Sequence, residues 1–101
     1  TEPMERYEFI MRAYKATNGN IEKQNKKEML DMLDDNQEYI VERSLIYNKT
    51  ENIAFLLSLN ICTKTTIKKI IKAADETDEM SLKAYALEAL NKLGRKTDFK
   101  I

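Results

Sequence analysis

The chain has no histidine, no tryptophan, one cysteine, one proline and two glycines in 101 residues. Each scarcity removes a class of fold or function. Without histidine there is no imidazole acid–base catalyst and no His-ligated metal site. The two glycines stand apart, so no phosphate-cradling loop is present. Cys62 alone builds no disulfide framework. Beside an apolar run, with no histidine to activate it, its thiol reads as a buried core group. So few Gly and Pro argue against an all-β fold, which spends them at turns. Charge of one sign is also missing: 17 Lys+Arg against 17 Asp+Glu give a formal net charge of zero, where a phosphate-binding chain ordinarily carries a basic excess. No stretch approaches the ~20 apolar residues of a spanning helix, and no signal-peptide pattern is seen. The expectation is a soluble, cytoplasmic protein that uses no cofactor and no membrane.

What is there is helical. A hydrophobic fraction of 43% with 34% charged residues is that of a globular domain, read as one unit over 1–101. The longest apolar stretch runs from Ile53 to Ile61, broken only by Ser58 and Asn60. Its Leu and Ala content favours helix over strand, and a helix apolar on nearly every side is a buried one. With Thr50 as N-cap and Glu51 in the first turn, a central helix is expected over 51–61, with Phe55 and its leucine neighbours dry.

The remaining periodicities predict five further helices. The first covers 4–18, started by Pro3, with Tyr7, Ile10, Met11 and Tyr14 on one face widened by Phe9, Ala13 and Ala16. Gly19 is expected to stop it and Asn20 to cap the next, over 21–34, whose Met29, Leu30, Met32 and Leu33 point inward. A third over 37–48 carries apolar residues on more than one face, from Tyr39 to Tyr47. A fifth over 64–75 starts at Thr63 and buries Ile67, Ile70, Ile71 and Ala74. The sixth, over 78–93, has the stripe Leu82, Tyr85, Ala86, Ala89, Leu90 and Leu93 and is expected to end at Gly94. Residues 95–101 read as a short polar tail. Connections of two to four residues make antiparallel or steeply crossed neighbours. The fold class is all-α, a compact bundle of about six short helices.

A shift of 41 residues superposes part of this pattern on itself. Met29, Leu30 and Leu33 fall on Ile70, Ile71 and Ala74, and Tyr39, Val41, Leu45 and Ile46 fall on Met80, Leu82, Ala86 and Leu87. The second copy, from Lys64 through Ile67, Ile70, Ile71 and Ala74 to Leu82, Ala86, Leu90, Leu93 and Gly94, resembles a HEAT repeat hairpin. It departs from that family in lacking a Pro before the second helix and a third copy. The resemblance implies HEAT-like hairpins around the buried helix 51–61, stacked into a surface for a partner, and not an enzyme.

Two surface features carry the functional readings. The acidic groups Asp31, Asp34, Asp35, Glu38 and Asp75, Glu76, Asp78, Glu79 read as solvated helix ends, since no glycine-bearing calcium loop accompanies them. Lys64, Lys68 and Lys72 recur at i, i+4, i+8, with Lys69 beside them and Thr65 in the first turn. Residues 51–75 thus have the outline of a helix-turn-helix whose second helix would meet phosphates or base edges. Leu57 stands where that unit wants a small residue, and Asn60 stands in for its turn glycine. No constellation supports catalysis. The leading expectation is a non-enzymatic helical interaction module, a small regulator or adaptor that binds another protein. Its Met- and Tyr-rich first helices supply adaptable contact residues. A nucleic-acid-binding regulator acting through Lys64, Thr65, Lys68, Lys69 and Lys72 is the alternative, and either admits a homodimer that covers the ends of the stack.

Overall fold

Asparagine and aspartate do in this chain what glycine does in most. Asn18, Asn48, Asn60 and Asp78 adopt left-handed backbone, φ 53°, 56°, 60° and 58°, each just past a helix end, where a short polar side chain tolerates that conformation best. After the third helix the Lys49 N–H reaches back to the Ser44 carbonyl at 2.7 Å, and after the fifth the Glu79 N–H reaches the Ala74 carbonyl at 2.9 Å. Both bonds satisfy carbonyls that the ending helix leaves open.

The computed structural model describes residues 4–18 and 20–98, the last four by backbone alone. Six helices follow: α1 Met4–Ala16, α2 Lys23–Asp35, α3 Gln37–Ile46, α4 Thr50–Ser58, α5 Lys64–Glu76 and α6 Met80–Asp98. All-α is the fold class, and no strand occurs among the described residues. Pro3 and Gly19, expected above to start and to stop the first helix, lie outside the described residues, as do residues 99–101 of the expected polar tail, whose first four residues, 95–98, belong to α6.

Several boundaries differ from expectation for local reasons. Asn20 does not cap α2: its N–H turns back to the Thr17 carbonyl at 2.9 Å, and the helix starts two residues beyond Ile21. Thr50 is the first residue of α4, and its N-cap, Lys49, makes no side-chain capping bond. The expected helix 51–61 stops at Ser58 because Asn60 turns left-handed. Gly94 does not end α6, which continues to Asp98. A glycine inside a helix costs only about 1 kcal/mol relative to alanine. Connections run from Asn36 alone to the segment 17–22.

One cluster draws apolar side chains from all six helices. Tyr7, Ile10 and Met11 meet Leu33, Ile40, Val41, Ile53, Leu56, Leu57, Ile67, Ile70, Ala74, Leu82 and Ala86, with Cys62 at the edge. Burying each large aliphatic side chain here contributes roughly 1.5–3 kcal/mol. α5 and α6 form the most extensive pair, and α3 pairs chiefly with α4; α1 and α2 are attached more sparsely. Not every expected core residue is inside. Phe9 is 67% exposed, Ile46 62%, Tyr47 56% and Tyr85 44%. The α1 face is centred on Tyr7, Ile10 and Met11, and Phe9 lies about 200° around the helix from Tyr7 at 100° per residue.

The corner between α2 and α3 is locked by a residue that sequence patterning passed over. Gln37 is 4% exposed. Its Nε2 donates to the Asp34 carbonyl at 3.1 Å, to Asp34 Oδ1 at 2.6 Å and to the Ile61 carbonyl at 3.1 Å. Its Oε1 accepts the Thr63 N–H at 2.7 Å. One amide therefore ties the α2–α3 corner to the strap between α4 and α5. Thr63 then caps α5 as expected, its Oγ1 accepting the Thr66 N–H at 3.3 Å.

Candidate functional site

All five residues singled out on α5 are exposed: Lys64, Thr65, Lys68, Lys69 and Lys72. Ile67, Ile70 and Ala74 turn the opposite side of the helix into the core. Successive members of the Lys64, Lys68, Lys72 stripe rise by about 6 Å along the axis. None of those three has an ion-pair partner among the described residues. Lys69 leans towards Glu38 of α3, 3.8 Å away. Thr66 is fully buried, so its hydroxyl faces no ligand. The strap 59–63 joins α4 to α5 with Asn60 left-handed, but each helix packs chiefly on others: α4 on α3 and α6, α5 on α6 and α3.

A second feature lies along α4. Ile53, Leu56 and Leu57 are buried, whereas Phe55 and Leu59 are only half-buried. The expectation of a helix dry on all sides is thus corrected: α4 buries one face and opens the other. The reason is visible in the spacing. Glu51 and Ser58 are exposed and stand four residues before and three after Phe55, on the same helical face. Two polar side chains bracket the ring and hold its stripe at the surface. That signal was available in the sequence; the run of apolar letters around it masked it.

Three adjoining concavities follow this open face. Between α1 and α4 lies one of about 250 Å³, bounded by Met11, Arg12, Lys15, Asn52 and Phe55. The next, about 420 Å³, lies over Tyr14, Lys15, Leu30, Phe55 and Leu59. The third, about 150 Å³, is bounded by Ser58 of α4, by Asn60 just past its end, and by Tyr85, Glu88 and Lys92 of α6. Shared residues make them one groove, with Phe55 and Lys15 common to the first two and Ser58 and Asn60 to the last two. Tyr14 meets Phe55 edge to face, centroids 6.0 Å apart at 71°. Lys26 of α2 stands 5.9 Å from the Tyr14 ring centroid.

Electrostatics anchor one end of the groove. Lys49 Nζ donates to Glu8 Oε2 at 2.7 Å and Asn52 Nδ2 to the same oxygen at 3.2 Å. The Lys49 hydrogen bond holds the Glu8 carboxyl below its ordinary range, against the opposing effect of burial, with Asn52 assisting. Ser58 Oγ donates to the Phe55 carbonyl of its own helix at 2.5 Å. Burial, with Asp34 adding to it, pushes the Cys62 thiol up to about 11, which leaves it protonated at neutral pH. No protein-family model, no curated protein and no solved structure matches this chain.

Proposed function

We propose that this chain is a non-enzymatic helical interaction module, a small regulator or adaptor, and that it docks another protein through the groove along α4. The observation that carries the reading is the half-buried Phe55 ring, set with Tyr14 and Leu59 in an apolar floor and bordered by charged side chains. An aromatic-rich centre with a polar rim is the anatomy of protein interfaces. The α5–α6 hairpin, with its resemblance to a HEAT repeat, forms the scaffold in this reading. The test is recovery of a bound protein with wild type, Phe55→Ala, and Lys68→Glu with Lys72→Glu. Loss of that protein with the Phe55 variant alone supports the reading, and loss with the lysine pair alone overturns it.

A second reading rests on its own observation, the three exposed and unpaired lysines in one stripe of α5. A nucleic-acid-binding regulator using a helix-turn-helix-like unit over 51–75 would release about three counterions from a duplex, giving a log–log salt slope of about −3. Binding that is insensitive to salt, or that survives Lys68→Glu with Lys72→Glu, removes this reading.

A further inference from the structure

Building on the docking role proposed for the α4 groove, we infer that its occupant is an acidic amphipathic helix of about three turns, lying along α4 with its apolar side on Phe55 and Leu59 and its carboxylates towards α1. The length follows from the groove, which tracks α4 from Glu51 to Ser58, ~10 Å at 1.5 Å per residue, and continues past the helix end to Asn60. A helix seated there places anchors at i, i+3 or i+4, and i+7.

The charge follows from an asymmetry between the two rims. Arg12 and Lys15 border the groove on the α1 side, and Lys26 stands beside Tyr14. None of the three has an ion-pair partner among the described residues. Across the groove, on α6, Glu88 and Lys92 lie 3.8 Å apart and offset each other. The carboxylates at this end are Glu8, which meets Lys49 at 2.7 Å and is also drawn by Arg12, and Glu51 of α4. Arg12, Lys15, Lys26 and Lys49 thus outnumber Glu8 and Glu51 on this side, and its net charge is positive. An occupant with carboxylates on one flank satisfies it and is oriented by it, whereas a basic helix would set like charges against Arg12 and Lys15.

Three synthetic peptides of one composition pattern, about 15 residues long so that the helix is populated, test this by labelled-peptide anisotropy. One is amphipathic with a Glu flank, one carries Lys in place of Glu, and one is the acidic peptide scrambled. The acidic amphipathic peptide is expected to bind at least about tenfold more tightly than either sibling, and Arg12→Glu with Lys15→Glu to weaken it at least about tenfold. Both substituted side chains are exposed, so the fold is retained, which amide spectra check. Equal binding of the scrambled or basic peptide overturns the inference, as does no binding by any, or loss only with Lys68→Glu and Lys72→Glu. Should the peptides fail while Phe55→Ala still removes a recovered protein, the groove reading stands and the acidic-helix inference alone falls.

Discussion

Gln37 gathers four hydrogen bonds from two separate parts of the chain, so its loss takes a partner from the Ile61 carbonyl and from the Thr63 N–H. Gln37→Leu, which keeps the bulk and removes the amide, is expected to cost about 1–3 kcal/mol in urea unfolding. A cost within error of zero would mean that water replaces the amide. In sequence Gln37 sits in Asp34-Asp35-Asn36-Gln37-Glu38, where every neighbour is polar, and nothing local separates a solvated amide from a buried one. The partners that distinguish it, Ile61 and Thr63, are 24 and 26 residues away. Cys62 was legible, because an apolar run adjoins it. Burial raises its folded pKa from 9.0 to about 11, so the protonated thiol is favoured by the fold. That contribution is complete below pH 9 and is lost as pH rises towards 11, where the unfolded chain ionises first. Denaturant melts at pH 8 and pH 10.5 should show a larger alkaline loss for wild type than for Cys62→Ala. The Glu8 carboxylate has the opposite sign. Its lowered pKa means that the Lys49 pair stabilises above Glu's ordinary 4.5, and the benefit fades as acid drives pH through the lowered value. Half-exposed as it is, the pair is worth about 1 kcal/mol or less, so Glu8→Gln should cost that much at pH 7 and nothing measurable near pH 2.

At the scale of elements, helix existence and order were readable because each stripe recurs at three and four residues; the start of α5 at Thr63 was readable too, but several other boundaries were not. The stops depend on which polar residue turns left-handed, a choice among neighbours such as Asn18, Gly19 and Asn20 that side-chain type alone leaves open. Asn60→Ala is expected to cost about 1–2 kcal/mol, the penalty of a Cβ without a compensating side chain in that conformation, while Asn60→Gly stays close to wild type. Gly94 tests the extended α6. A Cβ there would meet nothing within 4 Å, so Gly94→Ala should raise stability by about 0.5–1 kcal/mol. A loss instead would mean that Gly94 ends the helix in left-handed backbone. α4 marks the limit of composition as a guide. Ile53, Leu56 and Leu57 share one face, and Phe55 shares the other with Glu51 and Ser58; only the positions of those two polar residues divide the run.

For the whole molecule, a radius of gyration of 13.7 Å is close to the ~13 Å of a compact chain this long, yet its surface is uneven. Charges that sum to zero are sorted, with lysines along α5, unpaired cations beside the α4 groove and acids at helix ends. That sorting was half legible: the α5 stripe lies within one helix, whereas the groove is assembled from α1, α2, α4 and α6, and no single segment displays it. The working surface we propose is this groove. A photo-crosslinking side chain in place of exposed Ser58, compared with one in place of exposed Lys68, tests it directly in the protein's own cells. A protein adduct is expected at position 58, disappearing with Phe55→Ala, and none at position 68. Adducts at position 68 alone, to protein or nucleic acid, would contradict it.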